Sequence, residues 1–263
     1  MANETCGELQ QGPEVFEGEA WVGRQHRPVR YSVVGGSAIV EGCLILGTAE
    51  QVRDDTRRFR DENKPFGAVR PDPKYLWHKG VVPYVIAPDL PNPTRVHDAM
   101  AHWQAFTQVI KFIDWNQAND PARYPNWVTF RPATGCSSHI GCQSNGEQAI
   151  NLGPECSMGN VIHEIGHTVG LFHEQSRNDR DQHITVIYDN IDPRYRHNFD
   201  QMLNNGVDSG SYDYESIMHY PKNAFSRNGK DTIVPKASKP IGQRVRLSQG
   251  DIETVKKLYE DIV

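Results

Sequence analysis

From Arg30 to Thr48 apolar and β-branched residues flank a pair of glycines: "RYSVV", then Gly35 and Gly36, then "SAIVEGCLILG". A glycine pair supplies the backbone of a two-residue turn, so the pattern predicts a β-hairpin. The next stretch, "TAEQVRDDTRRFRDENK" from Thr48 to Lys64, is dense in charges of both signs and nearly free of apolar residues. That is the composition of a solvated helix or linker open to a protease. Pro65 and Gly67 break it, which puts a boundary near Lys64 to Ala68. Beyond the boundary "GVVPYVIA", Gly80 to Ala87, reads as a strand. Val96, Met100, Trp103 and Phe106 then recur at near-helical spacing behind Thr94, predicting a capped amphipathic helix that faces a core. "VIKFI", "WVTF" and "QAINL" predict short strands, and "GDIETVKKLYEDIV" predicts a closing helix that starts near Ser248. Between Asn190 and Arg246 regular patterns thin out, so turns and side-chain contacts should hold that region.

Composition narrows the class. A chain of 263 residues with 37% hydrophobic content can bury a core without covalent staples. It suits one large domain, or one domain and a smaller segment. The net charge is -5 and the basic residues are scattered, which argues against a nucleic-acid footprint and against a polybasic membrane patch. No apolar run approaches the ~18 residues of a membrane span. The polar, acidic start "MANETCGELQQGPEVFEGEA" is not a secretory signal.

The chemistry lies in "VIHEIGHTVGLFHEQSRNDRD", Val161 to Asp181. His163 and His167 are four apart and share one helix face, so both imidazoles can reach one ion. Glu164 is placed beside the first histidine, to act as a base rather than a ligand. Gly170 lets the chain leave the helix, and His173 returns from beyond the bend as the third ligand. Three neutral imidazoles would hold one Zn2+ with a position left open, where a water of lowered pKa becomes the nucleophile. The alternative, a set of structural histidines, is disfavoured by the agreement of third His, intervening Gly and the apolar residues Val161, Ile162, Ile165 and Val169. Downstream, "YESIMHY" places Met218 two residues before Tyr220, completing a metzincin pattern.

Together "HEIGHTVGLFHEQSRNDRD" and "SIMHY" resemble the astacin family of zinc endopeptidases. The resemblance runs from about Gly67 to Val263 and includes "YLWHKGVVPY", "GCSSHIG", Asn198 with Phe199, and "IGQRVRLSQGDI". It implies His163, His167 and His173 as zinc ligands, Glu164 as general base, and Tyr220 as the phenol that steadies the oxyanion. It implies Met218 as a hydrophobic floor, Glu174 as anchor for a newly cut N-terminus, and Arg177, Asp179, Arg180 and Asp181 as structural charges. "CSSHIG", with Ser137, Ser138 and His139, resembles the edge strand on which the family lays extended substrate antiparallel. Arg244 is the candidate for an S1′ pocket that takes acidic side chains.

The five cysteines divide by the same resemblance. Cys136 and Cys156 match a family disulfide closing a loop worth ~3 kcal/mol. A second family bridge is missing, with Val109 where one partner is expected. Cys6 and Cys142 are either paired with each other or free. The astacin prosegment carries Phe-x-Gly-Asp, whose aspartate caps the zinc. Two places answer to it: "FEGEA", which offers Glu19, and "VEGCL", Val40 to Leu44, which offers Cys43. A thiolate is a strong soft ligand for Zn2+ and would exclude the water, so Cys43 is the expected latency ligand and Glu19 the alternative. A buried strand cysteine is the competing role.

The resulting expectation is an α+β, metzincin-like zinc protease. Its N-terminal lobe holds a twisted mixed sheet and two long helices, and its irregular C-terminal lobe ends in a closing helix with no module after it. Residues 1-66 form an inhibitory prosegment and 67-263 the catalytic domain. One Zn2+ per chain is expected as cofactor, with protein or peptide substrates, activation by another protease or by autocatalysis, and no nucleic-acid or membrane partner. A disulfide argues for a secreted or extracellular setting. Two other classes remain open: a non-catalytic zinc-containing binding protein, and a purely structural zinc site closed by Cys43.

Overall fold

The computed structural model describes residues 9–10, 12–22, 25–62, 75–201 and 208–260. Cys6 and the boundary expected at residues 64–68 lie outside the described residues. The N-terminal part supplies β1 (Val15–Val22), β2 (Gln25–Val34), β3 (Ser37–Val40), β4 (Leu44–Thr48) and helix α1 (Ala49–Glu62). The rest of the main sheet is β5 (Val81–Ile86), β6 (Lys111–Asp114), β7 (Trp127–Pro132), β8 (Ser137–Ser138) and β9 (Glu147–Leu152). Its strand order is β1-β2-β3-β4-β8-β9-β7-β5-β6. The first four strands are antiparallel, β4 joins β8 in parallel, β8 joins β9 antiparallel, and β9, β7, β5 and β6 run parallel. Helices α2 (Thr94–Thr107), α3 (Trp115–Ala118), α4 (Met158–Thr168) and α5 (Gln249–Tyr259) follow. A two-stranded pair, β10 (Ile184–Val186) and β11 (Ile233–Pro235), organises the irregular C-terminal part.

Three apolar clusters account for the packing. The largest joins the sheet to α2, α4 and α5 through Val96, Trp103, Phe130, Ile150, Ile162 and Tyr259. Trp103 is fully buried and its indole N–H donates to the Ile162 carbonyl at 3.1 Å, which binds α2 to α4. A second cluster of Tyr195, Phe199, Tyr220, Phe225 and Ile233 forms the C-terminal core, and Leu9 joins it from the chain start. The third, with Tyr31, Leu44 and Val52, is the small core under β1 to β4 and α1.

The expected hairpin at 30–48 is corrected in its second half. Ser37 to Gly47 is not one strand: Glu41, Gly42 and Cys43 form a turn, and β4 folds back on β3 with Val40 opposite Leu44. The reversal follows from positive φ at Glu41 (48°) and at Gly42 (71°). Glycine is required at the second position twice over, since a Cβ there would lie 2.7 Å from the Phe225 ring as well as in left-handed backbone. The tip of this turn therefore reaches the C-terminal core. Two smaller corrections concern α2. Thr94 is its first residue rather than a side-chain cap, and Phe106 is half exposed, so the buried face is Val96, Met100 and Trp103 without it.

The disulfide Cys136–Cys156 is present, while Cys142 is a buried free thiol. It ties β8 to the start of α4, the helix that carries two of the expected ligands. That helix opens with a reciprocal capping box, Ser157 accepting from the Asn160 amide and Asn160 accepting from the Ser157 amide. Ser157→Ala should remove about 1 kcal/mol of stability and lower the thermal midpoint by about 2–4 °C, read by calorimetry on the full chain.

Candidate metal centre

Helix α4 is buried from Gly159 to Thr168, which places His163, Glu164 and His167 inside the protein. Gly159 lets the helix lie against the chain at Arg244, whose carbonyl would overlap any Cβ there. After Thr168 the chain turns at Gly170, with φ of 110°, and His173 comes back onto the same point. The three ligand-side nitrogens converge: His167 Nε2 lies 3.1 Å and His173 Nε2 3.3 Å from His163 Nε2. Cys43 Sγ, at the tip of the β3–β4 turn, lies 3.7, 3.4 and 3.2 Å from the Nε2 atoms of His163, His167 and His173. All four residues are buried and form the one such cluster among the described residues.

The donor set fits zinc. Tetrahedral bonds of ~2.05 Å to nitrogen and ~2.3 Å to sulfur separate nitrogens by about 3.3 Å and nitrogen from sulfur by about 3.6 Å, close to the observed spacings. Each imidazole also has its other nitrogen engaged. Nδ1 of His163 donates to the Ile217 carbonyl and Nδ1 of His167 to the Leu171 carbonyl, each at 2.8 Å. Nδ1 of His173 donates to Glu41 Oε2 at 2.6 Å. With the proton on Nδ1, Nε2 presents a lone pair toward the common point. Burial, first of all, holds the three imidazoles well below the ordinary histidine range, with the Arg244 charge adding to it. Neutral imidazole is the ligating form.

Around this point the other expected residues fall as follows. Glu164 is buried on α4 directly after His163. Met218 packs under α4 at Gly166, where a Cβ would meet its sulfur at 2.6 Å. Tyr220 is fully buried, its ring 4.8 Å from that of His173, and its hydroxyl donates to the Glu41 carbonyl at 2.6 Å. Glu174 accepts from the Asp213 amide at 2.7 Å, and its carboxyl is pushed up to about 8, chiefly by burial. Arg177 pairs with Asp179 at 2.8 Å and donates to the Ser209 and Gly210 carbonyls. Arg180 pairs with Asp181 and donates to the Gln175 and Phe199 carbonyls, so these charges do tie the helix exit to the C-terminal part.

Arg244 has its Nη1 on the carbonyls of Ile217, His219 and Gln243 at 2.8, 3.0 and 2.9 Å. The first of these is the carbonyl that also orients His163. Strand β8 is not a free edge, because β4 covers it: the Ser138 amide donates to the Cys43 carbonyl at 2.9 Å. Ser137 and Ser138 are buried, and the His139 imidazole lies against the Ile45 carbonyl of β4, which favours its charged form. Burial holds His139 down to about 4, with Arg131 acting the same way. Glu19 stands apart from the cluster. It lies on β1, its amide donating to Thr56 Oγ1 at 2.7 Å, and it is not among the four converging groups.

Sequence reasoning missed Glu41, a buried acid that reaches His173, Tyr220 and Ser176 from the N-terminal part. The only signal was its position, two residues before the cysteine in "VEGCL".

Residues 69–260 match the family model described as Astacin, a peptidase family. The chain is 39% identical over 216 residues to bone morphogenetic protein 1 of Xenopus laevis, covering 78% of this chain and 30% of that protein. It is 43% identical over 195 residues to human tolloid-like protein 1, covering 70% and 19%. It is 39% identical over 222 residues to zinc metalloproteinase nas-14 of Caenorhabditis elegans, covering 80% and 43%. The chain thus spans less than half the length of these relatives. Among solved structures it is similar to high choriolytic enzyme 1, a hatching enzyme zinc-protease from Oryzias latipes. There the TM-score is 0.63 at 30% identity, over 74% of this chain and 99% of that one. No described helix is long and apolar enough to cross a membrane. The converging histidines, the turn bearing Met218 and the match along residues 69–260 agree: this chain belongs to the astacin family of zinc metalloendopeptidases.

Proposed function

We propose that the chain is the latent form of a secreted zinc endopeptidase, with residues 1-66 as the inhibitory segment and 67-263 as the catalytic domain. The observation that carries the reading is the Cys43 sulfur within 3.7 Å of all three histidine Nε2 atoms. His163, His167 and His173 hold the zinc, and Cys43 takes the position that the reaction needs open. The covering of β8 supports the same reading. Leu44 pairs with Ser138 in parallel, whereas the family resemblance puts substrate antiparallel on that strand. The segment thus fills the substrate site in a direction that presents no bond for cleavage.

Once the segment leaves, β8 regains unpaired backbone donors and acceptors, and Ser137, Ser138 and His139 receive an extended protein or peptide chain. The ion, when bound, supplies Lewis acidity toward water and the scissile carbonyl. Glu164 takes a proton and delivers it to the leaving amine. Tyr220, released from the Glu41 carbonyl, turns its hydroxyl to the developing oxyanion. Met218 floors the site, and Arg244 holds the turn above His163 while lending positive charge to an S1′ pocket. Glu174, partly buried and with its carboxyl pushed up by desolvation, awaits the ammonium of a new N-terminus, supplied by an activating protease or by autocatalysis.

Three outcomes test this reading. In the full precursor, Cys43→Ala should raise basal caseinolysis about tenfold or more, the effect of removing ~1.4 kcal/mol of occlusion; a silent variant overturns the thiolate reading. In the activated enzyme, Glu164→Gln should lower kcat/KM by roughly 10²–10⁴-fold at unchanged zinc content. A variant that keeps full biological effect without proteolysis would favour the binding-protein class instead. The third outcome concerns pH. Burial holds the docked His139 down to about 4, and exposure to water on undocking would raise it toward the ordinary histidine range. Docking is therefore most stable where both states are neutral and weakens as pH falls through the ordinary histidine range toward about 4. Protease susceptibility of the precursor should rise across that interval, and His139→Phe should flatten the rise.

A further inference from the structure

Each imidazole in the centre is oriented through Nδ1, but not by the same part of the chain. His163 and His167 lean on the carbonyls of Ile217 and Leu171, which do not belong to the N-terminal segment. His173 leans on the Glu41 carboxylate, 132 positions earlier in sequence and two residues from Cys43. Glu41 is buried and tied down through side chain and backbone alike. It is 3% exposed, its Oε2 accepts from Ser176 Oγ at 3.1 Å, its amide donates to Asn198 Oδ1 at 2.9 Å, and its carbonyl accepts from Tyr220. It also carries a φ of 48°, a left-handed conformation disfavoured for a side-chain-bearing residue, which the surrounding hydrogen bonds must hold.

We propose that Glu41 is a positioning residue for the metal ligand His173, so that the N-terminal turn clamps the centre through two groups: a thiol toward the ion and a carboxylate behind one of its ligands. A carboxylate on the far nitrogen fixes ring orientation and raises the imidazole's donor strength. Departure of the turn then removes the fourth ligand and the support of the third together. The ion should be held more tightly before activation than after it. In the same movement Tyr220 is freed, because the backbone carbonyl that holds it belongs to the same residue. The proposal deepens the latency reading and rests on it for the direction of the change.

The test uses the full-length precursor with Glu41→Ala, Glu41→Gln and, in the catalytic part, Ser176→Ala. Zinc release to an excess of chromogenic chelator is timed below the unfolding transition, and the cobalt-substituted proteins are scanned for the thiolate-to-metal absorption band. Glu41→Ala should release zinc about 10–100-fold faster and keep the band. Glu41→Gln, whose amide oxygen can still accept from Nδ1 but carries no charge, should fall between, and Ser176→Ala should shift release in the same direction by less. A role confined to folding would lower the thermal midpoint and leave release unchanged. Wild-type release from Glu41→Ala, or from both milder variants if that one does not fold, overturns the proposal. A wild-type precursor without the band overturns the Cys43 reading instead, and the release rates still decide the part assigned to Glu41.

Discussion

Four donor atoms converge on one point in the interior, and much of the molecule is arranged to keep them there. Burial keeps three imidazoles side by side uncharged, and each donates its Nδ1–H to an acceptor built into the fold, which fixes tautomer and orientation. An imidazole without that acceptor would be a buried polar group with a free choice of tautomer and orientation. The acceptors come from three places: the turn before Met218, the bend at Gly170, and the N-terminal turn. Arg244 fixes the first by donating to the same Ile217 carbonyl, and the capping of α5 reaches it too, since Asp251 accepts from the Ile217 amide and from Ser216. Closing helix, metal ligand and C-terminal core are thus one hydrogen-bonded assembly.

The N-terminal part enters this assembly as a sheet extension. Strand β4 satisfies the exposed side of β8, which would otherwise stand as an open edge. It does so with its own apolar cluster behind it, so docking does not depend on a few side chains in the cleft. Register then delivers the turn. With Leu44 opposite Ser138 and the Cys43 carbonyl accepting from the Ser138 amide, the turn just before β4 lies beside α4, and the Cys43 sulfur meets the histidines there. Secondary structure, rather than affinity of the thiol alone, brings the sulfur to the histidines.

Much of this was legible in the sequence because the signals were local. His163, His167, Gly170 and His173 announce their geometry by spacing, and the strands and helices within residues 69–260 follow apolar periodicity. Ser248 and the closing helix stand where the pattern puts them, with Ser248 as cap. The turn at Glu41 to Cys43 was hidden inside an apolar run that reads as one strand, since a β-bulge and a reversal leave little trace in hydrophobicity. Phe106 misled for the opposite reason: its spacing is helical, but α2 buries a face too narrow to include it. Glu41 could not be found from spacing at all. Its nearest side-chain partner, His173, is 132 positions away, and a lone acid in a strand pattern ordinarily faces water.

The departure from the family's Phe-x-Gly-Asp motif has a physical logic in this chain. On the proposed latency reading the residues that answer to it are Val40, Glu41, Gly42 and Cys43, of which only the glycine is kept. Its retention follows from φ of 71° and from the Phe225 ring 2.7 Å from any Cβ. An aspartate at the tip would supply charge and ligation in one side chain. Here the two are divided. The thiol is the softer and stronger donor for zinc, and the carboxylate at the variable position moves behind His173, where Ser176 and Nδ1 share one of its oxygens. That division needs the left-handed turn at Glu41. With the backbone reversed there, two side chains of one short segment approach the same imidazole from its two opposite nitrogens, the thiol at Nε2 and the carboxylate at Nδ1.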